Sequence, residues 1–148
     1  MVNEDFQRLA VEQGHKFEEA VETVFQIANC TIIERKRKDT VSGEEIDHVI
    51  RTPGGNELWV ESKGSWRGKR PGLIRSDTAK KAVATAWNLQ TAHNFDIPPY
   101  LLVTSHLPIP GNYSDRLLRN AVDNGLFKEV VQLNDLAAVI ERIDADLS

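Results

Sequence analysis

The chain has one cysteine, Cys30, in 148 residues. That excludes an internal disulfide framework and a zinc site built from several thiolates. With no catalytic partner nearby in sequence, the Cys30 thiol reads as a small buried hydrophobe. No apolar run is long enough to cross a bilayer as a helix. The first stretch, "MVNEDFQRLAVEQGHKFEEA", lacks a basic n-region and an apolar h-region, so no signal peptide is visible and the cytoplasm is the expected compartment. No H-x-H or H-x₃-H spacing suggests zinc. No Gly-rich phosphate loop follows the first expected strand. Internal repeats and low-complexity segments are also absent.

What is present is an ordinary globular composition, 41% hydrophobic and 27% charged, of a length that suits one domain over residues 1–148. The net charge of −4 hides an uneven distribution. Lys63, Arg67, Lys69, Arg70, Arg75, Lys80 and Lys81 are interrupted by one acid, Asp77. The acids gather instead at Glu4 to Glu22, at Glu44 to Asp47 and near the C-terminus. An acidic chain with a basic middle can present a face that attracts phosphate. A second basic cluster, "RKRK" at Arg35 to Lys38, reads on its own as solvated surface.

Apolar spacing predicts a helix over Asn3–Ala28, with Phe17, Val21, Val24 and Phe25 on one face and an interruption at Gly14. "CTIIERKRK" predicts a strand at a sheet edge. "GEEIDHVIRT" and "ELWVESK" predict two more strands, joined by the turn "TPGGN". A Gly- and Pro-punctuated loop, "SWRGKRPGLIRS", follows, then a helix capped by Ser76 or Asp77 with Ala82, Val83, Ala86 and Leu89 inward. "PPYLLVTSHL" is expected to be a covered central strand. A helix capped by Ser114 and stopped at Gly125, a strand "LFKEVVQL" and a closing helix "NDLAAVIERIDADL" complete the chain. The order α-β-β-β-α-β-α-β-α implies an α/β fold, a mixed central sheet with helices on both faces.

Within the third strand, "LWVESKGSW" sets Glu61 and Lys63 two residues apart in an apolar run. Alternation places Trp59, Glu61 and Lys63 on one face, with the two charged residues roughly 7 Å apart at the backbone. Buried charges need partners. The turn at Pro53 to Asn56 can fold Asp47 beside Glu61, and two carboxylates that close favour a hard divalent cation such as Mg²⁺. A solvent-facing cross-strand pair explains Glu61 and Lys63 without any function. The combination says more: an acid in one strand, a Pro-Gly-Gly turn, E-x-K in the next strand and then a basic loop.

"GHKFEEAV", "GEEIDHVI" and "WVESKGS" resemble the core of the PD-(D/E)XK nuclease superfamily, with its restriction-endonuclease-like α-β-β-β-α-β core, over roughly Gly14 to Tyr100. The resemblance implies a metal-dependent DNA endonuclease that leaves 5′-phosphate and 3′-hydroxyl ends. It implies Asp47 and Glu61 as ligands of Mg²⁺, for which Mn²⁺ can substitute, and Lys63 as the catalytic lysine. The backbone carbonyl of Ser62 would complete the metal shell. An acid of the first helix would join them, Glu18 or Glu19, and the pattern of an acid directly after a core aromatic selects Glu18. The residue before Asp47 is Ile46, where the family pattern has proline.

Arg67, Lys69, Arg70, Arg75, Lys80 and Lys81 are then candidates for phosphate contacts with DNA. His48 adjoins Asp47 but belongs to the opposite face, as a packed or surface histidine. His15, His93 and His106 read as structural or exposed, and Trp59 as core. Trp66 suits either base stacking or core cover. Cutting both strands of a duplex needs two active sites, so a homodimer is expected. A Holliday-junction-resolvase-like enzyme and a non-catalytic DNA-binding or assembly subunit are the alternatives. No helix-turn-helix or zinc finger adds sequence specificity, so the chain would use its own loops, the shape of its substrate or a protein partner.

Overall fold

The computed structural model describes residues 17–65 and 71–148. Residues 3–16 of the expected first helix, and Trp66, Arg67, Lys69 and Arg70, lie outside the described residues. The described elements are α1 (Phe17–Ile27), β1 (Thr31–Lys38), β2 (Glu45–Arg51), β3 (Glu57–Lys63), α2 (Ser76–Ala92), β4 (Tyr100–Thr104), α3 (Tyr113–Asp123), β5 (Glu129–Gln132) and α4 (Leu136–Leu147). Short 3₁₀ turns at Gly72–Ile74 and Leu133–Asp135 precede α2 and α4. The spatial order of the strands follows the chain, β1-β2-β3-β4-β5. β1, β2 and β3 are antiparallel, whereas β4 and β5 join in parallel. This is the α/β architecture with a mixed sheet that the pattern implied.

The switch from antiparallel to parallel follows from the connections. A five-residue turn suffices between β2 and β3, but a parallel neighbour needs a crossover, which α2 supplies between β3 and β4 and α3 between β4 and β5. Along β3 alternate side chains serve two cores. Leu58 and Val60 pack with Phe17, Val21, Phe25, Leu136 and Ile140 under α1 and α4. Trp59 packs with Ala82, Ala86, Leu89 and Leu118 under α2 and α3. Each fully buried aliphatic side chain contributes about 1.5–3 kcal/mol, which holds β3 in register at both faces.

Two helix starts differ from expectation. Ser76 is already helical, and Arg75 occupies the cap position with no side-chain cap bond. At α3 the cap is Asn112, whose side-chain oxygen accepts the Asp115 N–H at 2.9 Å, rather than Ser114, which is buried inside the first turn. Asparagine caps as well as serine does, and the preceding Gly111 takes the left-handed φ of +80 that the bend uses. Strand β5 is shorter than "LFKEVVQL", because Leu126 and Phe127 turn inward to the α2 side of the core before pairing begins. No described helix is long and apolar enough to cross a membrane.

Candidate active site

The hairpin that carries Asp47 and Glu61 is tied from outside as well as within. Its turn closes with Thr52 N–H on the Asn56 carbonyl and Gly55 N–H on the Thr52 carbonyl, both at 2.9 Å. Asp144 of α4 then accepts from the Thr52 hydroxyl, from Gly54 N–H at 3.0 Å and from the Asn56 side-chain amide at 2.7 Å. A Cβ on Gly54 would lie 2.6 Å from the Asp144 carboxylate, so a larger residue there would push that side chain out of its bonds to the turn.

At the far end of the hairpin, the β2–β3 ladder ends at the His48–Val60 pair. Beyond it the Asp47 carboxylate accepts the Ser62 backbone N–H at 2.8 Å and meets the Glu61 carboxyl in a hydrogen bond. Glu61 is buried, 4% exposed, and its second oxygen accepts from the Tyr100 hydroxyl at 3.2 Å. Burial, then the hydrogen bond and charge of Asp47, push the Glu61 carboxyl up to about 9, against the opposing pull of Lys63 and Tyr100. That shift favours the protonated form of Glu61, which meets Asp47 through a hydrogen bond. Tyr100, stacked on Phe127, is itself raised by burial and by Glu61, so its hydroxyl stays a donor. Lys63, half-buried, follows at the C-terminal end of β3.

The four residues assigned by resemblance are thus placed unequally. Asp47 and Glu61 are in contact, and Lys63 is close enough to act on the Glu61 carboxyl. Ser62 lies between, with its hydroxyl buried and unbonded. Glu18 is exposed in the first turn of α1, next to Phe17, whose ring lies where a Cβ on Gly64 would come within 2.7 Å. That contact brings the start of α1 to the end of β3. Among the described residues no three His, Cys, Asp or Glu side chains gather as a metal site. Two carboxylates nevertheless fit an Mg²⁺-type ion, which is held by one or two carboxylates and keeps several waters. Their contact marks the place where a cation would relieve their repulsion.

Of the basic candidates within the described residues, Arg75, Lys80 and Lys81 are exposed at the start of α2, and the Lys80 ammonium sits 5.4 Å above the Tyr113 ring. The segment with Arg67, Lys69 and Arg70 is flanked by residues fastened to one corner after β4. Ser65 N–H donates to the Ser105 hydroxyl at 3.0 Å, and that hydroxyl donates to the Ser65 carbonyl at 3.1 Å. On the other side Leu73 N–H donates to the His106 carbonyl at 2.9 Å. His106 also meets the Ser105 hydroxyl through Nδ1 at 2.9 Å, and burial lowers its imidazole below the usual range.

His48 is a packed residue, as its strand parity implied: its Nε2 lies 2.7 Å from Glu22 and its ring edge meets Phe25. His93 bonds Asp39 at 2.9 Å and borders Trp59. Tyr100 and Ser105 were not singled out in the sequence, and His106 was read there as structural or exposed. Tyr100 and Ser105 reach partners 39 and 40 residues away, Glu61 and Ser65, and the one local signal was a tyrosine opening an apolar strand.

No family model and no curated protein matches this chain. A solved structure similar to it is that of the EndoMS–dsDNA2 complex, with 15% identity and a TM-score of 0.45 over 75% of this chain. The chain spans 41% of the length of that one.

Proposed function

We propose that the chain is a metal-dependent DNA endonuclease of PD-(D/E)XK type, acting in restriction, repair or recombination. The observation that carries this reading is the contact of two carboxylates, Asp47 and Glu61, at the open end of a β-hairpin with Lys63 beside them. Asp47, Glu61 and the Ser62 carbonyl would hold Mg²⁺, or Mn²⁺ in its place, with Glu18 joining directly or through a water. A bound ion there supplies an electrophile for the scissile phosphate and lowers the pKa of a water.

The chain's own groups do the rest. Tyr100 and the Ser62 N–H orient Glu61 and Asp47, so that neither carboxylate has to reorganise as charge develops. Lys63 holds a phosphate oxygen or the attacking water by hydrogen bonding. Arg67, Lys69, Arg70, Arg75, Lys80 and Lys81 would neutralise backbone phosphates, which makes affinity fall steeply with salt. Two copies would serve the two strands of a duplex, and a protein partner or the shape of the DNA would supply specificity.

The test is incubation of the purified protein with supercoiled plasmid, four-way junctions and single strands, with Mg²⁺, Mn²⁺ or EDTA. Cleavage with either metal and none with EDTA is expected. Preference for the junction selects the resolvase-like reading. Binding without cleavage under every metal overturns catalysis and leaves a DNA-binding subunit.

A further inference from the structure

The "RKRK" cluster occupies the C-terminal half of β1, the edge strand, at the same end of the sheet as the acid pair. Arg35 pairs in register with His48 and Arg37 with Ile46, so Lys36 falls between the two pairs that flank Asp47.

Three observations separate Lys36 from its neighbours. Arg35 is committed to Glu22 at 2.8 Å and Arg37 to Glu34 at 3.0 Å, whereas Lys36 is exposed and has no ion-pair partner among the described residues. Its backbone is left-handed, with φ +51, a conformation that lysine adopts at a cost and glycine does not. The strand alternation also breaks at this point. His48 packs on Phe25 on the α1 side, yet Ile46, two residues earlier, belongs to the core on the α2 side. A strained residue persists where the surroundings or function hold it.

We infer that Lys36 takes a backbone phosphate of the nucleic acid on the β1 side of the acid pair, opposite Lys63 on the β3 side. The inference rests on the nuclease reading and extends it. The substrate strand would cross the edge of the sheet rather than stop at the acids. β1 and β3 lie two strand spacings apart, roughly 10 Å, which is about three nucleotides at 3.4 Å of rise. The contact is to phosphate, so it carries no sequence preference.

The experiment measures binding of a labelled duplex in EDTA, over a series of salt concentrations, for wild type and for Lys36→Gln, Lys36→Gly and Lys36→Arg. Lys36→Gln should lose about tenfold in affinity near 0.1 M salt and about one unit of the log–log salt slope. Lys36→Arg should keep both. Lys36→Gly should weaken binding equally while melting at or above the wild-type temperature, because glycine relieves the strain; this separates lost contact from lost fold. Wild-type affinity and slope in the Gln and Gly variants would overturn the inference and leave the nuclease reading standing. Failure of the wild-type protein to bind any DNA would overturn both.

Discussion

The Tyr100 hydroxyl donates to the Glu61 carboxyl at 3.2 Å, across the parallel junction of β3 and β4. The bond ties the hairpin that carries the acids to the neighbouring parallel strand, and it reaches the acid from a buried ring that stacks on Phe127.

Tyr100→Phe keeps that stack and removes only the donor. The buried acceptor loses one of its partners, so stability should fall by about 1 kcal/mol. If the reaction proceeds as proposed, kcat should drop about tenfold through loosened orientation of Glu61, with KM for DNA nearly unchanged. Steady-state kinetics on a defined duplex, with urea denaturation alongside, checks both. An unchanged kcat would reduce Tyr100 to a packing residue.

Glu61 makes the metal-free protein sensitive to base. Its folded value is about 9 against an ordinary 4.5, so between these limits the native state keeps a proton that the unfolded chain has lost. Stability therefore falls as pH rises through that window, and the contribution is fully present only below about 4.5. Glu61→Gln stays uncharged and can still donate to Asp47. It should flatten the profile and gain on the order of 2 kcal/mol at pH 8, from about 1.4 kcal/mol per unit reduced by water entry. Urea midpoints in EDTA from pH 5 to 9 measure this, and parallel wild-type and variant curves would refute it.

Asp144 acts in the opposite direction. Hydrogen bonds from Thr52 and Asn56, with a further one from Gly54 N–H, hold its carboxyl below the usual aspartate range. Its contribution is present above the unfolded value of 3.8 and is lost as pH falls through the lower folded value. Asp144→Asn should lower the melting temperature by a few degrees at pH 7, with the difference closing towards pH 3. Calorimetry at the two pH values decides. A difference that stays constant would assign the effect to shape and not to charge.

The contrast between Asp144 and the hairpin shows what was legible in the sequence. β2, β3 and their turn could be read because alternation and a Pro-Gly-Gly turn are local signals, and from them Asp47 and Glu61 could be brought together. Asp144 was read only as part of an acidic C-terminal region, since its partners Thr52, Gly54 and Asn56 lie 88 to 92 residues away. Tyr100 escaped for the same reason: which strand lies beside β3 depends on the crossover, not on any local pattern. Lys36 was passed over as solvated surface, because neither a left-handed backbone nor a place between the strand pairs that flank Asp47 is written in "RKRK". The helix caps failed for a smaller reason, with Asn112 competing against Ser114 two residues away.

Lys63 provides the sharpest test of the chemistry. It ends β3 two residues beyond Glu61, half-exposed, and opposes the rise of the Glu61 carboxyl through its charge. Little of the core depends on it, so Lys63→Ala should fold and melt close to wild type. It should still bind DNA, because the remaining cations supply most of the phosphate contacts. Cleavage should fall by about 10²–10³-fold, the scale of losing one preorganised donor to developing charge. Lys63→Arg restores the charge but offers a planar fork in place of a compact ammonium, so it should recover binding fully and cleavage only in part. Full cleavage by a correctly folded Lys63→Ala protein would remove Lys63 from the mechanism and leave the acid pair to act without it.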